Sequence, residues 1–241
     1  MAGIGIKLNK FFDKGTVTGY LAGSGYSVVT TIAPMLLVIA DILAMQKILG
    51  YSDAAYGSRQ LFQATILYIF VFALLASAPL NAVLSRYVSD VIFNETYSDI
   101  MAAFHLGLWI SMAIDAIMVV PFAIHEYIVG GVDIVYVVTS VCCFIALSLV
   151  FYTMLYLSLC KDYGKISLFY FIGMAITLGI SYIFVNKFNM EITYSMLLAM
   201  TIGFIIIASL GYALLRQYFT QNSKNYKDVL QYLSLIHISE P

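Results

Sequence analysis

Charge is what this sequence lacks most: 12 Lys and Arg and 13 Asp and Glu stand among 241 residues, 10% in all. A soluble domain carries about 25% charged residues, so the deficit excludes an ordinary water-facing surface. The two signs nearly cancel, to a formal net charge of −1. No basic face is available to neutralise phosphates, which excludes a nucleic-acid partner. Cysteine is equally sparse. Cys142 and Cys143 are neighbours inside an apolar run, Cys160 lies at its end, and no His or carboxylate cluster stands near them at metal-ligand spacing. That pattern gives no ligand set for a cysteine-based metal site and no basis for inferring disulfides, and no cofactor or metal is expected. A cleaved signal peptide is also missing, because the first apolar run does not stop after a short core at a small-residue cleavage pattern.

What is present is hydrophobic: 62% of the residues are apolar, and the mean hydropathy is +0.92. The apolar residues fall into six runs, at about 26–49, 61–83, 101–124, 132–159, 166–185 and 193–215. Each can cross roughly 30 Å of hydrocarbon at about 1.5 Å per residue as a helix. Helices are required, because in lipid the backbone polar groups must be satisfied within the segment, and the alternating ten-residue strands of a membrane barrel are absent. The expected fold is therefore an all-α integral membrane protein with about six transmembrane helices. The connections are short and polar, so any chemistry takes place in or beside the bilayer.

The chain divides into four segments. Residues 1–23 place Ile4, Leu8, Phe11 and Phe12 at helical spacing, with Lys7, Lys10 and Lys14 largely on the other side. This reads either as an amphipathic helix on the membrane surface or as a plain cytoplasmic tail. Residues 24–217 hold the six-helix lobe, and 218–233 a cytoplasmic helical connector. Residues 234–241 read as translated sequencing adapter, in which case the gene continues elsewhere; they carry no functional expectation. With the N-terminus inside, nine of the twelve Lys and Arg fall on inner segments, and only Lys47, Arg59 and Lys187 on outer ones. Positive residues collect on the cytoplasmic side, so the N-terminus is expected there, in a multi-pass bacterial inner-membrane protein.

Six side chains stand out as candidates. Asp41 and Asp115 lie inside the first and third runs. An ionised carboxylate at mid-bilayer costs at least about 2.5–3.5 kcal/mol, so such residues face a wet cavity or a partner, or lock helices together as neutral, hydrogen-bonded groups. They are candidates for a substrate or ion pathway. Pro34 and Pro79 interrupt the first and second runs, where each removes a backbone hydrogen bond and can kink its helix. Arg86 and Asp90 stand one helical turn apart at the cytoplasmic end of the second run, as a candidate gate or an ordinary surface pair. No catalytic residue is expected. Gly23-Ser24-Gly25 resembles an intramembrane serine protease only superficially, since no histidine in the last two runs can act as its base. His105 and His125 are isolated.

Several stretches resemble the PelG family of exopolysaccharide exporters. They are the opening Met1-Ala2-Gly3-Ile4-Gly5-Ile6-Lys7-Leu8, then Gly25-Tyr26 leading into a run with a proline, then Leu84-Ser85-Arg86-Tyr87-Val88-Ser89-Asp90, and finally Asp228-Val229-Leu230-Gln231-Tyr232-Leu233. The resemblance implies the flippase superfamily of multidrug exporters and lipid flippases, in which about twelve helices form two pseudo-symmetric lobes around a cavity and work by alternating access. Only one lobe is represented here. The resemblance also implies a cationic, amino-sugar-rich polysaccharide as passenger. The partners it implies are a cytoplasmic glycosyltransferase and membrane regulatory subunits. Exporters of other small or lipid-linked substrates, and a non-transporting membrane scaffold, are the competing expectations.

Overall fold

A computed structural model describes residues 17–94, 97–159 and 163–220. The expected amphipathic segment up to residue 16, the connector beyond residue 220 and residues 234–241 lie outside them, as do the side chains of Gly23-Ser24-Gly25. Among the described residues there are six long α-helices and no strand: α1 (Val17–Ile48), α2 (Tyr56–Phe93), α3 (Ile100–Ile128), α4 (Ile134–Leu159), α5 (Tyr163–Phe188) and α6 (Ile192–Tyr218). Each coincides with one of the six apolar runs, to within two residues where the run overhangs the helix. Five of them, α2 to α6, are long and apolar enough to cross a membrane.

The helices outrun their apolar stretches where water takes over as solvent. α2 has 38 residues, about 57 Å at the usual rise, against a hydrocarbon core of about 30 Å. Its last turns, past residue 83, carry Ser85, Arg86, Ser89 and Asp90. The same stretch keeps Leu84, Tyr87, Val88 and Val91 buried, so a narrow apolar stripe holds the helix to the bundle while its other face meets water. Single residues in left-handed backbone make the turns. Gly50 has φ 66° after α1, Gly131 has φ 64° after α3, and Asn189 has φ 50° after α5. Glycine and asparagine are the residues that take this conformation at least cost.

Packing is centred on α4 and α6, which form the most extensive helix pair. Half of the most apolar stretch of each is buried within the protein, a larger share than in α2, α3 or α5. α2 and α3 pack on α4 and on each other, α5 packs on α6, and α1 lies outermost against α5. The outward faces are greasy: Met35 is 66% exposed, Trp109 75% and Ile117 75%. Such a surface fits lipid as the solvent. α1 and α2 are joined through residues 49–55 yet pack little on one another.

Small residues set the closest approach, at the crossing of α5 and α6. A Cβ on Gly203 would stand 1.9 Å from Thr177 Oγ1, and one on Gly173 would stand 2.3 Å from Ile207. Thr177 cannot easily turn aside, because its hydroxyl donates to the Gly173 carbonyl at 2.9 Å. Close backbone approach through small residues is the usual device for packing helices in lipid. We expect Gly203→Val to lower stability by about 1–3 kcal/mol through overpacking, seen as a lower melting temperature of the purified protein. An unchanged melting temperature would show that the two helices do not meet here.

Candidate functional site

Both intramembrane carboxylates are buried, in different helix seams. On α1, Val38, Asp41, Met45 and Leu49 recur at three- and four-residue intervals and form the covered stripe. Met35, Leu36, Ile39 and Leu43 form the exposed one. Helical geometry therefore turns Asp41 inward, toward the side that packs on α5. Asp41 is 7% exposed, and its Oδ2 is covered and makes no hydrogen bond. Pro34 lies two turns earlier on the same helix and is half-buried.

Asp115 ends a stripe of small and polar positions, Gly107, Ser111 and Asp115, spaced by four along α3 and all buried. The stripe lets α3 sit close to α4. A Cβ on Gly107 would meet the Tyr152 hydroxyl at 2.4 Å. Asp115 is 1% exposed, with Ser148 of α4 as its polar neighbour. Neither carboxylate oxygen reaches that hydroxyl in hydrogen-bond geometry, and Ser148 Oγ is itself without a partner. Buried polar atoms left this way cost about 1–3 kcal/mol each, and they are places where a proton, an ion or water can bind.

One turn and more below, the same seam is fully satisfied. Tyr152 donates to the Phe104 carbonyl at 2.7 Å, and its oxygen lies 3.1 Å from that of Tyr156. Phe104 packs on both tyrosines and on Tyr212 of α6. His105 Nε2 lies 3.3 Å from the Tyr212 hydroxyl, so this histidine ties α3 to α6. The satisfied aromatic cluster sets off the unsatisfied pair above it.

The other predicted residues stand apart from these seams. Pro79 is exposed within α2, and Arg86 and Asp90 are exposed on the polar extension of that helix. The structure thus brings together neither the two carboxylates nor the carboxylates and the arginine. Two residues were missed from sequence. Pro121, inside α3, was legible by the reasoning applied to Pro34. Ser148 was not, because a serine within an apolar run carries no signal until its facing helix is known.

A family comparison decides what this chain belongs to. The sequence model of PelG, the exopolysaccharide exporter (EPS-E), matches residues 1–237. The chain belongs to the PelG family. No curated protein and no solved structure matches the chain. As a PelG-family protein with five helices long and apolar enough to span, it is a multi-pass membrane protein of an exopolysaccharide export family. The buried carboxylates Asp41 and Asp115 are thus features of a PelG-family protein.

Proposed function

We propose that this chain forms one lobe of an exporter that carries an amino-sugar-rich exopolysaccharide across the bacterial inner membrane by alternating access. The observation that carries the reading is the PelG match along residues 1–237. The six long helices among the described residues support it, since the family resemblance gives each of two lobes about six helices around a shared cavity. The complementary lobe supplies the other wall. A cytoplasmic glycosyltransferase delivers the polymer, and membrane regulatory subunits control the assembly.

Asp41 and Asp115 carry the coupling. A carboxylate that has no fixed partner can take a proton, a cation or a protonated amino sugar in turn, and release it when its helix moves. Pro34 and Pro79 are the points where α1 and α2 bend. Arg86 and Asp90 belong to the cytoplasmic gate, on the extension of α2 that reaches beyond the apolar run. Orientation follows from the distribution of Lys and Arg, with the N-terminus and Arg86 in the cytoplasm.

The reading is tested by topology first. Single cysteines at Asn94 and Asn189, in a background free of cysteine, are probed with an impermeant thiol reagent. Asn189Cys is expected to label from outside intact cells, and Asn94Cys only after permeabilisation. The reverse pattern would invert the lobe and remove Arg86 and Asp90 from the cytoplasmic side.

A further inference from the structure

A cavity of about 360 Å³ lies between α2, α3 and α4, in the half of the bundle that holds the end of α3 and the start of α4. Neither Asp41 nor Asp115 lines it, although its inner end, at Val119 and Phe144, comes within one helical turn of Asp115 and Ser148. Its volume falls within the roughly 300–1,000 Å³ typical of small-molecule sites. Three aromatic rings line it and touch one another: Tyr68 on Phe72 at 6.0 Å, Tyr68 on Phe122 at 5.9 Å, and Phe72 on Phe122 at 5.9 Å between centroids. Most of its polar lining is already engaged. The Tyr136 hydroxyl donates to Thr65 at 3.3 Å, and Ser140 donates to the carbonyl of Tyr136 at 2.8 Å. Glu126 is the ionisable carboxylate of the lining, and no Lys or Arg lines the cavity. His125 flanks Glu126 at 3.5 Å from outside the lining.

This chemistry selects its ligand. With no cation in the wall, an anion has no countercharge. With the hydroxyls committed, a sugar has few groups to bind. Aromatic faces attract a cation, more strongly where water is excluded, and a carboxylate supplies the opposite charge. We propose that this cavity is a binding site for a hydrophobic organic cation, held between the Tyr68, Phe72 and Phe122 rings and neutralised by Glu126. The site does not depend on the polymer-export reading, and a hydrophilic polysaccharide is not its ligand.

The test uses the full chain in lipid nanodiscs. Radiolabelled tetraphenylphosphonium is the probe, and tetraphenylborate is the control of nearly the same shape and opposite charge. Saturable binding is expected for the cation, with only non-saturable partitioning for the anion. Glu126→Gln should weaken cation binding at least about tenfold. Ala64→Phe, which fills the cavity without touching its charge, should abolish it and serves alone if the first variant fails to fold. Asp41→Asn and Asp115→Asn should leave it unchanged. Cation uptake equal to that of protein-free nanodiscs would overturn the proposal. So would binding that survives both cavity variants, or binding lost with Asp41 or Asp115 instead.

Discussion

Asp41→Asn in the intact exporter is expected to cut polymer export by at least about tenfold while membrane levels of the protein stay near normal. Tenfold corresponds to about 1.4 kcal/mol on a rate-limiting barrier. The substitution keeps the shape of the side chain and removes its ability to alternate between charged and neutral forms. Asp41 sits in the covered stripe of α1 with one oxygen unpartnered, seven residues beyond Pro34. That interval is about two turns, which puts both on nearly one face. A bend at Pro34 therefore tilts the segment that carries Asp41 against α5. The expected tenfold loss rests on the proposal that binding at the carboxylate and bending of the helix are coupled through that lever. Export and secreted polymer are compared at matched protein levels. Unchanged export would make Asp41 a structural residue of the α1–α5 seam.

Asp115→Asn is expected to separate stability from activity. The Asp115 oxygens and Ser148 Oγ are buried without hydrogen bonds, an arrangement that weakens the α3–α4 seam. A neutral amide of the same size removes any buried charge and can donate to Ser148. Replacing a poorly compensated buried charge is often neutral, or stabilising by about 1–4 kcal/mol. The melting temperature should therefore hold or rise, while export falls at least about tenfold. A parallel Ser148→Ala variant should lower export less, since it leaves the carboxylate in place. A fall in both melting temperature and export with Asp115→Asn would mean that the carboxylate holds the seam together and does not take part in transport.

The sequence made the helices legible because membrane spans follow from length and hydrophobicity alone. Four of the six runs lie wholly within observed helices, and the other two, 26–49 and 132–159, overrun theirs by one and two residues. The two carboxylates were legible for the same reason, as charges where the solvent is lipid. Helix ends were less so: hydropathy stops near residue 83, but α2 continues to Phe93, because the narrow stripe Leu84, Tyr87, Val88 and Val91 is enough to pack one face on the bundle. Partners were not legible at all. Nothing local to Asp115 points to Ser148, and nothing near Asp41 tells that α5, four helices later in the chain, covers it. Gly203 and Gly173 carry low helix propensity on paper, yet they are where α5 and α6 meet. Their role exists only once the two helices cross.

The central claim is that this PelG-family chain is part of a polysaccharide exporter. It is tested most directly by deleting the gene in the organism that carries it and measuring polymer on both sides of the membrane. The account predicts that hexosamine-containing polymer disappears from the cell surface and medium and is retained inside the cell, and that the intact gene restores secretion while the Asp41→Asn gene does not. Surface polymer at wild-type levels in the deletion strain would contradict it.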